Sequence, residues 1–277
     1  MNYKIVADSS SNVFGMEGVS YAHVPLKIIN QGREYVDDPG LDVFGMLEDL
    51  KASREGSSTS CPNAFEWQEA FGDADAAFAV TITSNLSGSC AAARAAADAY
   101  MEENPGKRVS VLDTLSVGPE AHLVLDKLAE LIAQELSFDE IDEKIRAYMQ
   151  TTRLCFSLES LENLARNGRV SMAVAKLVGV MGIRIVGRAS DEGPLQQLHK
   201  CRGEKKALQA LFDEMKERGY CGGKVWIDHC LNLKAAVTLK EIIRHEFPDS
   251  CVHIGTCMGL CSYYAEQGGL LVGYEGA

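Results

Sequence analysis

The sequence predicts an α/β protein of two domains, and three observations support this prediction. In the first half, four β-prone apolar runs are separated by helical patterns, which is typical of a largely parallel sheet. These runs are residues 3–7, 23–29, 78–82 and 109–112. In the second half, turn residues 190–194 lie between two β-like runs and predict an antiparallel hairpin. A length of 277 residues suits two domains. We therefore expect an N-terminal domain over 1–150 with a mostly parallel sheet, and a C-terminal domain over 151–277 with a mixed sheet.

The other elements follow from apolar spacing and composition. Residues 90–101 are rich in alanine, which favours a helix. Residues 204–218 place apolar side chains at the three- and four-residue spacing of a helix that packs on a core. The remaining predicted helices are 119–134, 138–149 and 233–246, and the remaining predicted strands are 153–157, 183–186, 195–200, 224–228, 251–254 and 270–274.

Composition and charge exclude several classes of function. The formal net charge is −12, and no stripe of Lys and Arg is present, so we expect no nucleic acid partner. No apolar run has the length needed to cross a bilayer, and the first residues lack the apolar segment of a signal peptide. Nine cysteines, an odd number, suit reduced thiols. We expect a soluble, cytoplasmic protein without an integral membrane segment.

Two hydroxyl-rich segments, residues 57–62 and 84–89, each precede a helical pattern. The start of a helix has backbone N–H groups without partners and the positive end of the dipole, so it favours a carboxylate or a phosphate. Ser87 and Ser89 add donors, and Pro62 suits a first helical turn. Each segment alone is also typical of a plain N-cap. Two of them in one half of the chain indicate an anion-binding pocket.

Polar clusters also follow three of the predicted strands. These clusters are residues 8–10, 84–89 and 113–116. Ligands of open α/β sheets bind beyond the carboxyl ends of the strands, so the clusters can converge on one site. We therefore expect Asp8, Ser9 and Asp113 close to the anion pocket.

Motifs for other chemistries are absent or incomplete. The chain has no phosphate-binding P-loop and no dinucleotide-binding glycine motif, so we expect no nucleotide cofactor. A serine hydrolase with Ser87 as its nucleophile is an alternative. Against it, Ser87 lacks the paired glycines of a nucleophile elbow, and no histidine motif accompanies it. A zinc site is a second alternative, but its potential ligands lack paired Cys-x-x-Cys spacing, and we predict no metal. Those ligands are Cys251, His253, Cys257 and Cys261.

Two positively charged segments have both a structural and a functional interpretation. Residues 166–169 end a helical pattern, where cations favour the dipole and Asn-Gly supplies a left-handed turn. Residues 200–206, which include Arg202, concentrate positive charge where a strand meets a helix. This second segment is either a solvated helix start or a docking patch for an acidic partner.

A series of short motifs occurs in order between residues 4 and 276. They are Ile5-Val6-Ala7-Asp8-Ser9-Ser10, Val24-Pro25-Leu26 with Tyr35-Val36-Asp37, Thr59-Ser60-Cys61-Pro62, Leu86-Ser87-Gly88-Ser89, Val111-Leu112-Asp113-Thr114, residues 158–171 and residues 200–208. In this order they resemble the DegV family of bacterial fatty-acid-binding proteins. Cys61 stands where the family has Gln.

The resemblance implies a two-domain DegV-like fold that binds a long-chain fatty acid in an apolar tunnel between the domains. It implies that the carboxylate meets Thr59 and Ser87, with Ser60 and Gly88 beside them. It further implies that the protein is a carrier rather than an enzyme, and that it presents the acid to the ATP-binding subunit of a fatty acid kinase for phospholipid synthesis. By the same resemblance, Arg169 and Arg202 lie on the surface that meets the partner, outside the tunnel. A third interpretation of the function is an interaction protein that senses lipid.

The chain departs from the family near its C-terminus. Many members have a His-x-Gly-Pro-Gly segment whose histidine helps to position the carboxylate or its partner, and our alignment places Cys261 at that histidine. A thiol is a weak donor and lacks the charge of an imidazole. We expect Ser262 or Tyr263 to compensate, or Thr59 and Ser87 to suffice.

Overall fold

The structure, a computed structural model, describes residues 1–53, 56–172 and 182–276. Its strands are β1 (Tyr3–Asp8), β2 (Ser20–Val24), β3 (Lys27–Asn30), β4 (Arg33–Val36), β5 (Ser58–Ser60), β6 (Ala76–Thr81), β7 (Arg108–Asp113), β8 (Thr152–Leu158), β9 (Ile183–Ala189), β10 (Leu195–Arg202), β11 (Val225–His229), β12 (Val252–Thr256) and β13 (Leu270–Glu275). A four-stranded parallel sheet has the order β2-β1-β6-β7. A six-stranded mixed sheet has the order β10-β9-β8-β13-β11-β12. Both sheet types were predicted from the sequence, and both are confirmed.

A third sheet, with the antiparallel order β4-β3-β5, was not predicted. The single strand expected over residues 23–29 is wrong, because the chain leaves the parallel sheet after Val24 and begins β3 at Lys27. Pro25 lies at this break, and proline has no N–H group to donate to a sheet. The change of sheet matters for function because β3 pairs with β5, which contains Thr59.

The helices are α1 (Val43–Ala52), α2 (Ala64–Phe71), α3 (Ser89–Glu103), α4 (Pro119–Ile132), α5 (Phe138–Met149), α6 (Glu162–Arg166), α7 (Glu204–Glu217), α8 (Leu233–Glu246) and α9 (Gly259–Ala265). The helices expected over 90–101, 119–134, 138–149, 204–218 and 233–246 are confirmed. The place predicted for Pro62 is wrong. Helix α2 begins at Ala64 with Asn63 as its N-cap, and the Asn63 and Glu66 side chains form a capping box, so Pro62 precedes the helix.

Each of the two large sheets has helices on both faces. The four-stranded sheet packs against α4 and α5 on one face and against α2 and α3 on the other. The six-stranded sheet packs against α7 and α8 on one face, and its other face borders α6 and α9. No helix in the described ranges has both the length and the apolar character needed to cross a membrane.

Helix α4 contacts both large sheets. It packs in the core of the four-stranded sheet and also against β8, β11 and β13 of the six-stranded one. The start of α4 approaches β13 so closely that a Cβ atom on Gly273 would lie 2.4 Å from the backbone nitrogen of Glu120. The six-stranded sheet begins at Thr152, whereas the strands of the other two sheets end by Asp113. A domain boundary at residue 150 fits this arrangement and stays a prediction.

Candidate functional site

A cavity of about 280 Å³ lies between the first half of the chain and one face of the six-stranded sheet. Leu154, Phe156 and Leu158 alternate along β8, so all three side chains point to this face. The volume is near the lower end of the roughly 300–1,000 Å³ typical of ligand pockets. The other apolar residues of the wall are Leu26, Ile82, Leu86, Val117, Leu164, Leu195, Leu260, Ala265 and Leu271.

Hydroxyl groups and a helix start lie together in the wall of this cavity. Thr59 and Ser60 come from β5, and Ser87 and Gly88 come from the segment before α3. All four residues predicted to meet a carboxylate therefore line one cavity. Gly88 is the N-cap of the 15-residue α3 and offers no side chain to the first N–H groups. The wall therefore combines hydroxyl donors with the positive end of a helix dipole.

The segment with Thr59 is part of a sheet rather than a free loop. Thr59 pairs with Ile28 across the antiparallel contact between β5 and β3. Its side chain is half-buried, and its Oγ1 lies 2.8 Å from the hydroxyl oxygen of Tyr264. A strand fixes the Thr59 hydroxyl more firmly than a loop does.

The predicted polar clusters do meet, but only the cluster over 84–89 reaches the cavity, and those over 8–10 and 113–116 bond to other polar groups. Asp8 is buried, and its Oδ2 accepts hydrogen bonds from Ser89 Oγ at 2.7 Å and from Ile82 N at 2.9 Å. Burial raises the pKa of Asp8, and these donors partly oppose that effect. The role of Ser89 as a ligand donor is therefore wrong, because its hydroxyl is used by Asp8.

Ser9 and Asp113 also hold loops in place. Ser9 Oγ accepts a hydrogen bond from Leu26 N at 3.0 Å. Asp113 Oδ1 accepts hydrogen bonds from Ser84 N at 3.2 Å and from Leu115 N at 3.1 Å. Neither residue is in the cavity wall. Asp8, Ser9 and Asp113 thus hold in place the segments that line the cavity.

The two arginines expected outside the tunnel occupy different places. Arg169 is half-buried in the cavity wall, and its Nε donates a hydrogen bond to Leu86 O at 3.2 Å. Its prediction as a residue outside the tunnel is wrong, because the segment after α6 folds back against the loop that contains Ser87. Arg202 is exposed at the C-terminal end of β10. Leu195, at the other end of the same strand, lines the cavity.

Cys261 lies in the wall of the cavity and is buried. Its Sγ donates to Ser10 O at 3.3 Å, and burial raises the pKa of the thiol well above its usual range. The two residues expected to compensate for a missing histidine point elsewhere. Ser262 Oγ donates to Cys257 O at 2.8 Å, and the Tyr263 hydroxyl pairs with Ser57 Oγ at 2.8 Å.

Tyr264 is the site residue that sequence reasoning missed. Its side chain lines the cavity and contacts Thr59 through the hydroxyl groups. The two residues are 205 positions apart, so no local pattern in the sequence indicates the contact. Ser262 and Tyr263, the residues expected to compensate, thus bond away from the cavity, whereas the next residue of α9, Tyr264, lines it.

Among the described residues that line the cavity, none is a histidine, an aspartate or a glutamate. A serine nucleophile needs a base within hydrogen-bond reach, and this wall offers Ser87 none. No three or more His, Cys, Asp or Glu residues within the described ranges are placed to hold a metal ion. Of the four residues considered for the alternative zinc site, Cys251 and His253 are exposed whereas Cys257 and Cys261 are buried.

Comparisons with known proteins agree with this geometry. A sequence model of the family described as "Uncharacterised protein, DegV family" matches residues 2–275. A DegV domain-containing protein of Streptococcus pneumoniae is 42% identical over 279 residues, which cover 99% of this chain and 99% of that protein.

Two solved structures are similar over nearly the whole chain. A DegV family protein from Eubacterium eligens, loaded with heptadecanoic acid, is 42% identical with a TM-score of 0.97, covering 99% of this chain and all of that one. The Fatty Acid Kinase (Fak) B3 protein of Streptococcus pneumoniae, loaded with linoleic acid, is 41% identical with a TM-score of 0.98, covering all of both chains. The α/β fold and the match to the family model lead to one conclusion: this chain belongs to the DegV family.

Proposed function

We propose that the protein binds a long-chain fatty acid, with the carboxylate at Thr59, Ser60, Ser87 and Gly88 and the tail in the apolar part of the cavity. The observation that supports this most directly is the placement of two hydroxyl segments and one helix start in a mostly apolar wall that also contains Arg169. The relatives loaded with heptadecanoic acid and linoleic acid support the same ligand class.

The tail and the head group of a fatty acid contribute different amounts of free energy to binding. Burying roughly 14 methylenes at about 0.8 kcal/mol each gives on the order of 11 kcal/mol before ordering costs. A hydrogen bond to a charged group contributes about 1.5–3 kcal/mol net. The tail therefore supplies most of the affinity, and the hydroxyl groups fix the position of the head group and select an acid over an ester.

We propose that the bound acid is presented to the ATP-binding subunit of a fatty acid kinase in the cytoplasm. The similarity to a protein named as a component of Fatty Acid Kinase supports this partner. In this role the protein acts as a carrier, which the similarity to the Fak B3 protein supports. The exposed Arg202 is our candidate for the surface that meets the kinase.

Identification of the natural ligand tests the first part of this function. We expect extraction of the purified protein, followed by mass spectrometry, to release a free fatty acid in near-stoichiometric amount. A protein that carries no lipid and that binds neither linoleic nor palmitic acid after delipidation would contradict fatty acid binding.

Phosphorylation of the bound acid tests the proposed presentation to a fatty acid kinase. Loaded protein, ATP and a fatty acid kinase subunit should yield an acyl phosphate that hydroxylamine traps as a hydroxamate, and omission of any component should abolish it. A fluorophosphonate probe should leave Ser87 unlabelled. Labelling at Ser87 would favour a hydrolase, and tight acid binding without transfer would favour a lipid sensor.

A further inference from the structure

A tyrosine on α9 reaches the hydroxyl segment of the cavity from the other half of the chain. Tyr264 lines the cavity, and its hydroxyl oxygen lies 2.8 Å from Thr59 Oγ1. The neighbouring Tyr263 makes a similar contact with Ser57, but Tyr263 is fully buried and is not part of the cavity wall. The chain thus offers two adjacent tyrosines that both bond across the halves, of which Tyr264 faces the ligand space.

The acidities of the two hydroxyls favour one direction for the hydrogen bond between Tyr264 and Thr59 when a carboxylate is bound. Each hydroxyl has one proton to donate, whereas an ionised carboxylate can only accept. If Thr59 donated to Tyr264, its single proton would be used, and only the Tyr264 proton would remain for the carboxylate. A phenol is more acidic than an aliphatic hydroxyl and is therefore the stronger donor, so the opposite direction is favoured. If Tyr264 donates to Thr59, the Thr59 proton is free to point at the carboxylate.

We propose that Tyr264 is a positioning residue that donates its proton to Thr59 and thereby turns the Thr59 hydroxyl toward the ligand carboxylate. This inference rests on the proposed fatty acid function and adds a residue and a direction to it. Tyr264 acts through Thr59 and takes over, by a different route, the orientation that the sequence assigned to Ser262 or Tyr263.

The surroundings of Tyr264 suit a neutral, fixed donor. Burial raises the pKa of the Tyr264 hydroxyl, so it keeps its proton throughout the physiological range. Its ring packs edge-to-face on Tyr263 with 4.8 Å between the ring centres. Tyr263 is itself anchored by a 2.8 Å hydrogen bond from Asn167 Nδ2. These contacts hold the Tyr264 ring in place without using its proton.

A double-mutant cycle between Tyr264→Phe and Thr59→Val tests the inference, because each change removes a hydroxyl and keeps most of the shape. With linoleic acid as the probe, we expect Tyr264→Phe to weaken binding about tenfold, the size of one hydrogen bond to a charged group. In the Thr59→Val background, the same change should alter affinity less than about twofold, since the hydroxyl that Tyr264 orients is gone. Thr59→Ser keeps a hydroxyl and should restore the dependence on Tyr264.

Tyr263→Phe is the matched control. It also removes a hydrogen bond between the halves and is expected to change thermal stability but not affinity for linoleic acid. Unchanged affinity in Tyr264→Phe, an equal loss in both Thr59 backgrounds, or an equal loss in Tyr263→Phe would overturn the inference. Failure of the unmodified protein to bind any fatty acid would instead reject the proposed function, so the two outcomes are distinct. Circular dichroism identifies a misfolded variant, and Thr59→Ala, which also removes the hydroxyl, then replaces Thr59→Val in the cycle.

Discussion

Arg169 and Arg202 were predicted to have the same role, but they lie in different parts of the structure. Arg169 lies in the cavity wall and bonds to the backbone of Leu86, next to Ser87. Arg202 is exposed at the far end of β10. A cation in the wall attracts a carboxylate directly, whereas a surface cation acts on the encounter with a charged partner.

Charge changes at the two arginines should therefore have different effects. We expect Arg169→Gln to weaken fatty acid binding about tenfold, because it removes a cation from the wall. Arg202→Glu should leave the affinity unchanged but slow kinase-dependent phosphorylation of the bound acid at least about tenfold. Calorimetry and the hydroxamate assay give the two readouts. Equal losses of binding in both variants would contradict the assignment.

The sequence predicted those site residues whose role depends on local pattern. Ser87 and Gly88 stand between a β-prone run and an alanine-rich helix, and the order strand, loop, helix is visible without any tertiary information. Tyr264 and the inward position of Arg169 depend on contacts between segments far apart in the chain. Such contacts are set by packing of the two halves and leave no periodic pattern to read.

At the scale of elements, the hairpin of β9 and β10 contacts the loop before α3. Asn85 Nδ2 donates to Glu192 O at the hairpin tip. Gly193 has φ +98°, and a Cβ atom there would lie 2.4 Å from Thr83 Oγ1. The tip therefore needs glycine both for its backbone conformation and for its close approach to the segment that carries Ser87.

Gly193→Ala should move the hairpin away from this loop. We expect a loss of stability of about 1–3 kcal/mol from backbone strain, together with weaker fatty acid binding because the loop loses its support. Gly106→Ala is the control, since Gly106 has φ +97° and open space around its Cβ position. Urea unfolding and acid titration of both variants separate the effects. If Gly106→Ala weakened binding as much, strain alone would explain the result.

Elements were predicted well where one pattern extends over a whole segment and poorly where a proline or a new sheet interrupts it. Helices α4, α5 and α8 were found at nearly their observed limits because their spacing is regular. The break at Pro25 and the short strand β5 were missed. A three-residue strand has no periodicity of its own and exists because β3 supplies its backbone partners.

At the scale of the whole molecule, Asn12 links the two halves. Its Nδ2 donates to Asp228 Oδ2 at 2.7 Å, and its Oδ1 accepts from Met258 N at 3.0 Å. Asp228 is buried, and burial raises its pKa to about 7. This carboxyl sits at the junction of the halves and keeps its proton over most of the acidic range.

The stability of the fold should accordingly depend on pH. An aspartate in the unfolded chain loses its proton near pH 3.9, whereas Asp228 in the folded protein holds it up to about pH 7. Between these values the folded state binds more protons, so stability falls as pH rises. We expect the thermal midpoint to fall between pH 5 and pH 8, and to fall less in Asp228→Asn. An identical slope in both proteins would show that Asp228 does not titrate in this way.

The most direct measurement of the central claim is the affinity of the delipidated protein for linoleic acid and for methyl linoleate, in the unmodified chain and in Thr59→Val and Ser87→Ala. Because the carboxylate is proposed to contact these two hydroxyls, each variant should lose about tenfold or more in affinity for the acid. Affinity for the ester, which has no charge to stabilise and keeps the same tail, should change by less than about threefold. Unchanged affinity for the acid in both variants, with the fold intact, would contradict the account and place the head group elsewhere in the cavity.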